Sequence, residues 1–151
     1  MPARGLTGEL TLEIRYPLEV VVEGTPISLQ GSSRSRARWK RKVAVAARMR
    51  LQELRDRWGP DERPVAVTIF YFPIAPLDGD IDNLIKPILD GLEGIVYKKD
   101  QVVERVLVQK FEPGIVRPGS VASVQLGRAL EAEPPVVFIR IEDGLVRREI
   151  A

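Results

Sequence analysis

The stretch Val65-Ala66-Val67-Thr68-Ile69-Phe70-Tyr71-Phe72, enclosed by Pro64 and Pro73, decides the fold. It is apolar on both faces, which suits a strand covered from both sides, so it reads as the middle strand of a sheet. A short loop rich in Pro, Gly and Asp follows. Leu84, Ile85, Ile88, Leu89 and Leu92 then recur at helical spacing and predict a helix from about Asn83 to Leu92. Pro87 suits only the first turn of a helix, which places the start between Asp82 and Asn83; Gly91 and Gly94 read as its end.

Upstream of the central strand, Trp39, Val43, Ala47, Leu51, Leu54 and Trp58 fall three or four residues apart and predict a long helix from about Ser35 to Trp58, stopped by Gly59-Pro60. Arg34, Arg38, Arg41, Arg48 and Arg55 lie roughly opposite that apolar face. Before it, Leu10 to Arg15 alternates as a strand, and Glu19 to Glu23 reads as another after the break at Pro17. Downstream, Gln101 to Phe111 and Val136 to Glu142 read as strands, with a short helix between Ser120 and Leu130. The fold class is α/β (α+β): a single domain with a mixed β-sheet of about four to five strands packed by two main helices. That domain is expected over residues 9–143, with loose tails at 1–8 and 144–151.

The chain has 151 residues, 44% hydrophobic and 29% charged, a soluble balance with no apolar run long enough for a membrane span. Its first residues do not resemble a secretory leader, so a cytoplasmic location is expected. Cysteine and histidine are both absent. That excludes disulfides, thiolate or imidazole metal sites, and Ser/His or Cys/His catalysis. A bound metal must sit on oxygen ligands, which makes Mg2+ the expected cofactor and Mn2+ a substitute. The net charge is only +2, but ten basic and two acidic residues between Gly31 and Trp58 make a local +8. Such asymmetry points to a polyanionic partner, with Arg34, Arg36, Arg38, Lys40, Arg41 and Lys42 as candidate phosphate contacts. Trp39 and Trp58 sit on the apolar face and read as core rather than as base-stacking residues.

The acids after the central strand carry the chemistry. Asp80 and Asp82 are two apart, so in an extended segment both carboxylates point the same way and can share a cation. Asn83, Lys86 and Asp90 stack along one face of the helix that follows. Clustered carboxylates repel unless a cation neutralises them, and a divalent ion held there can activate water against a phosphodiester. The plainer alternative is a turn with an N-cap, in which Lys86 forms ion pairs with Asp82 and Asp90. Asp78, Asp80 and Asp82 also fit the first places of a calcium loop, but the sixth place is Asn83 rather than Gly and the twelfth is Leu89 rather than Glu. A phosphatase-type Asp-x-Asp finds no partner motifs in a chain of this length.

Gly79-Asp80-Ile81-Asp82-Asn83-Leu84-Ile85-Lys86-Pro87-Ile88-Leu89-Asp90-Gly91-Leu92, followed by Val96-Tyr97-Lys98-Lys99-Asp100-Gln101-Val102, resembles the RusA-type Holliday junction resolvases. The resemblance covers about residues 20–112, with the strand at 136–142 as a continuation. It implies a homodimeric, Mg2+-dependent endonuclease that nicks four-way DNA junctions in recombination and repair. By position it implies Asp80, Asp82 and Asp100 as metal ligands with Asp90 nearby, and Lys86 as the assisting cation. The catalytic set is then Asp80, Asp82, Lys86 and Asp100, and Asn83, Lys98 and Lys99 join the residues expected to touch DNA. One departure stands out: the family usually has two adjacent acids and one more residue before Gln-Val, whereas here Lys98-Lys99-Asp100 runs directly into Gln101. The rival class is a junction- or nucleic-acid-binding protein of the same fold that does not cut. A phosphohydrolase acting on nucleotides is a third reading, disfavoured by the local +8.

Overall fold

The computed structural model describes residues 3–4, 10–11, 14–24, 33–54, 60–77, 79–114 and 123–144. Strands β1 (Ala3–Arg4) and β2 (Leu10–Thr11) form a short antiparallel ladder of their own. The main sheet contains β3 (Leu18–Glu23), β4 (Val65–Phe72), β5 (Val103–Lys110) and β6 (Val136–Asp143), in the order β3-β6-β4-β5. Strand β6 runs antiparallel to both β3 and β4, whereas β4 and β5 are parallel. The helices are α1 (Ser33–Glu53), α2 (Ile81–Leu92) and α3 (Val124–Glu131). This is the α+β domain with a mixed sheet that the patterning predicts, with four strands in the main sheet.

The doubly apolar run is an internal strand, flanked by β6 and β5. Val65, Val67, Ile69 and Tyr71 enter the main core with Trp39, Val43, Ala47 and Leu51 of α1 and Leu84, Ile88 and Leu92 of α2. Phe72 faces the other way, into a smaller cluster with Phe138 and Ala129 of α3, and Phe70 packs against that cluster. Phe111 continues it: its ring stacks on Phe72 at 5.0 Å and meets Phe70 edge-on at 5.2 Å. Both faces of β4 are covered, which is why it lacks a polar face.

Parallel neighbours need a crossover, and here the crossover from β4 to β5 carries α2. The loop that leaves the carboxyl end of β4 leads into the head of α2, the position at which open α/β sheets present ligand-binding residues. The chain thus delivers its acidic loop to a structurally privileged end of the sheet.

Several predicted boundaries move. Helix α2 begins at Ile81, not between Asp82 and Asn83, so Pro87 is its seventh residue and lies inside it. An interior proline costs roughly 3 kcal/mol, because it offers no N–H to the carbonyl four residues back, here that of Asn83. Burying Leu84, Ile88 and Leu92, each at most 2% exposed, is worth about 2 kcal/mol apiece and outweighs that cost. Gly91 does not stop the helix. It is a buried interior residue, and a Cβ there would lie 2.8 Å from both the Lys40 carbonyl oxygen and Val43 Cβ of α1. It is the close crossing point of the two helices.

Of the strand expected over 10–15, Leu10–Thr11 pair with β1, residues 12 and 13 lie outside the described residues, and Ile14 is buried in the core. The strand expected from Gln101 begins at Val103, because Asp100–Val102 form a single 3-10 turn. The short helix predicted from Ser120 starts at Val124, where the Ser123 hydroxyl accepts a hydrogen bond from the Leu126 N–H. The predicted end of α1 near Trp58 and the C-terminal tail after Gly144 lie outside the described residues.

Candidate functional site

Asp80 is the N-cap of α2, in extended conformation at φ −98° and ψ 139°, yet its side chain makes no capping bond. Only its backbone carbonyl accepts from the Asn83 N–H, at 3.2 Å. An N-cap aspartate normally spends a carboxylate oxygen on the helix; this one does not. Asp82 lies in the first turn, where the positive end of the helix dipole favours an anion. Both are exposed, and neither carboxylate has a hydrogen-bond or ion-pair partner among the described residues. Their spacing predicts an extended pair, but only Asp80 is extended and Asp82 is helical. The earlier start of α2 puts Asp82 inside the helix and aligns it with Lys86 and Asp90 at intervals of four.

The loop bearing Asp80 is braced from β5. Lys110 Nζ donates to the Gly79 carbonyl at 3.0 Å, and Glu112 accepts from the Leu77 N–H at 2.9 Å while pairing with Lys110 at 3.1 Å. Gly79 has φ +82° and Leu77 φ +63°, a left-handed conformation that is uncommon for leucine. Asp78 lies outside the described residues.

Further down α2, Lys86 Nζ donates to Asp90 Oδ1 at 3.0 Å and lies 3.6 Å from Asp100 Oδ2. One ammonium thus joins a helix residue to the first residue of the 3-10 turn before β5. The Asp90 carboxylate, with a smaller contribution from Asp100, holds the Lys86 amine charged above the ordinary lysine range. The ion pair between Lys86 and Asp90 belongs to the plainer reading of the sequence; the contact with Asp100 does not.

Asp100 arrives there because its approach is pinned at several points. Tyr97 is fully buried, and its hydroxyl donates to the Leu89 carbonyl at 2.6 Å. Burial, and then the Asp100 charge, keep that hydroxyl neutral well above the usual tyrosine range. Asp61 N–H donates to the Val96 carbonyl and Asp61 O accepts from the Lys98 N–H, so a short parallel bridge locks this segment. The buried Asp61 carboxylate is in turn gripped by the Arg63 guanidinium and the Tyr16 hydroxyl. Burial alone would raise the Asp61 carboxyl; the Arg63 hydrogen bonds and charge, with the Tyr16 hydrogen bond, outweigh it and hold the carboxyl below its ordinary range. Finally, Glu93 Oε2 accepts from the Asp100 N–H at 2.9 Å. Sequence reading passed over Asp61 and Glu93 as site-building residues, since an acid near an arginine or after a helix carries no periodic signal, and met Tyr97 only as part of the resembling segment.

The acids therefore occupy two stations along α2. Asp80 and Asp82 sit at its head, and Asp90 and Asp100 gather around Lys86; at 1.5 Å rise per residue, Asp82 and Asp90 are separated by about 12 Å along the axis. Among the described residues no three acidic side chains are gathered closely enough to hold an ion as they stand. The donor chemistry still fits Mg2+, which keeps several waters and needs only one or two carboxylates beside a substrate phosphate. Asp80 and Asp82, oxygen donors without other partners among the described residues, meet that requirement.

Residues 31–118 match the family described as Endodeoxyribonuclease RusA, more than half of the chain. The chain belongs to the RusA endodeoxyribonuclease family. No curated protein and no solved structure matches it. The RusA match begins at residue 31 rather than near 20 and continues past 112 to 118. It includes α1, β4, α2 and β5, and so spans all of the predicted catalytic, metal and DNA-contacting residues. The remaining strands of the sheet, β3 and β6, lie outside it.

The basic positions of this RusA-family chain are on the surface. Arg34, Arg36, Arg38, Lys40, Arg41 and Lys42 are all exposed on the first half of α1, which crosses α2 at Gly91, next to Asp90. Lys42 Nζ is 6.0 Å from the Trp39 ring centre, so this cation lies over the core-facing indole. Trp39 itself is buried, as its place on the apolar face predicts, and Trp58 lies outside the described residues. Lys98 pairs with Glu62 at 3.2 Å, and Lys99 and Asn83 are exposed. No helix among the described residues is long and apolar enough to cross a membrane.

Proposed function

We propose that this protein is a Mg2+-dependent endonuclease that nicks four-way DNA junctions and acts as a homodimer. Family membership supplies the reaction class. The observation that carries the reading to this chain is the state of α2: two carboxylates at its head without partners among the described residues, and a charged lysine further along the helix held by acids from two segments. Asp80 and Asp82 would hold the ion, while Asp90 and Asp100, at the other station, would steady Lys86 further along the same helix. When bound, the ion activates water and neutralises charge on the phosphodiester in the transition state.

The chain's own residues do the positioning. Lys86, kept charged and 74% exposed, would take a non-bridging phosphate oxygen. The exposed cations of α1 hold the flanking backbone through counterion release, which requires no base contacts. Asn83, Lys98 and Lys99 extend that contact around the acids. Recombination and repair of branched DNA are the processes such an activity serves.

A synthetic four-way junction and a linear duplex of matching sequence test this reading. With Mg2+ the protein should introduce paired nicks near the branch point that ligase reseals. It should leave the linear duplex intact and stop when EDTA is added. A protein that binds the junction but never cuts it, with either Mg2+ or Mn2+, is the non-cleaving binding protein instead.

A further inference from the structure

The second acidic motif of this chain is shorter than the family pattern, and the structure shows what holds its one acid in place. Asp100 opens a 3-10 turn, and the first N–H groups of a helical turn have no partner within it. The residue at the cap is Lys99, which has no acceptor and makes no side-chain cap bond. The Asp100 N–H is instead taken by Glu93 Oε2 at 2.9 Å, from seven residues upstream.

Glu93 is well placed for this task. Its own N–H donates to the Leu89 carbonyl at 3.2 Å as α2 ends, and the neighbouring Gly94 N–H donates to the Tyr97 carbonyl at 2.7 Å. Gly94 has φ +83°, so the turn that follows α2 folds back beside the Tyr97 strand segment. The backbone of Glu93 is therefore fixed at the base of the loop, and its carboxylate reaches across the loop's open end. With the Asp100 backbone held at that point, its side chain lies at Lys86 Nζ.

We infer that Glu93 is a positioning residue for the nuclease site: its carboxylate fixes the Asp100 backbone and thereby aims the Asp100 carboxylate at the Lys86 station. The inference rests on the reading that Asp100 serves the reaction. Glu93 needs only an acceptor oxygen for this role, not a negative charge. This separates it from a metal ligand, for which the charge matters.

The test compares wild type, Glu93→Ala and Glu93→Gln as full-length proteins in three measurements. The first is hydrogen exchange of the Asp100 amide in metal-free protein. The second is Mg2+ affinity by calorimetry, and the third is the single-turnover rate of junction cleavage at saturating Mg2+. Glu93→Ala should expose the Asp100 amide to exchange and slow cleavage at saturating Mg2+ by about tenfold, the lower end of what supporting residues contribute to the activity of metal sites, with Mg2+ affinity kept within about threefold of wild type. Glu93→Gln, which keeps an acceptor oxygen, should restore exchange and rate to within about threefold of wild type. Thermal melting should be the same for all three. If Glu93→Gln is as defective as Glu93→Ala, Glu93 acts through its charge and the positioning role is overturned. Unchanged Asp100 exchange in Glu93→Ala overturns it equally. Wild type that neither binds Mg2+ nor cuts defeats the nuclease reading itself, a result distinct from either of these.

Discussion

Asp61 shows how much a single side chain can decide at a distance from the chemistry. It is buried at 7% exposure, and its backbone bridges to the segment that delivers Asp100 while its carboxylate is held by Arg63 and Tyr16. Removing one partner of a buried pair leaves the other uncompensated, so Asp61→Asn should cost about 3 kcal/mol at neutral pH. The pH dependence has a definite sign. The folded carboxyl lies below its ordinary value of 3.8, so its stabilisation is present above that value and is lost as pH falls through the lower folded value. Urea titrations between neutral pH and about pH 3 should therefore show wild type losing more stability than Asp61→Asn; parallel losses would contradict the assignment. Little of this was legible in the sequence. Asp80, Asp82, Lys86 and Asp90 stood out because they are ordered along one helix, whereas Asp61 and Glu93 act through contacts that only the folded chain creates. Asp100 was legible by resemblance, but its meeting with Lys86 was not.

At the scale of elements, the legible features were those written in burial. The central strand followed from its two apolar faces, and α1 from an apolar stripe now seen buried at Trp39, Val43, Ala47 and Leu51. What misled was local chemistry with two meanings. Pro87 is a helix-start signal only where packing is weak, and here three buried aliphatics override it. Gly91 looks like a stop because a small residue ends helices, but a small residue also lets two helices touch. The sign of a substitution separates the meanings. Alanine is a better helix former than glycine by about 1 kcal/mol, so at an ordinary interior position Gly91→Ala would stabilise α2. Against a carbonyl and a side chain at 2.8 Å it should instead destabilise by about 1–2 kcal/mol in chemical denaturation. A stabilised variant would remove Gly91 from the helix crossing.

For the whole molecule, the consequence of that crossing is charge placement. The cationic half of α1 crosses α2 at Gly91, next to Asp90; on the proposed reading one DNA backbone would be held by the first while a phosphodiester is presented to the second. Each phosphate contact contributes about 0.9 to the slope of log affinity against log salt concentration. Arg38→Ala combined with Arg41→Ala should therefore flatten the slope for junction binding by about 2, and to the same extent on junctions of unrelated sequence. An unchanged slope would remove these two arginines from the interface. The account as a whole depends on the head of α2, and one measurement addresses it most directly: single-turnover cleavage of a four-way junction at saturating protein, wild type against Asp82→Asn, with binding followed in parallel. Loss of about 4 kcal/mol of transition-state stabilisation predicts a fall in rate of about a thousandfold, with junction affinity retained within about threefold. Cleavage by Asp82→Asn at near the wild-type rate would contradict the account.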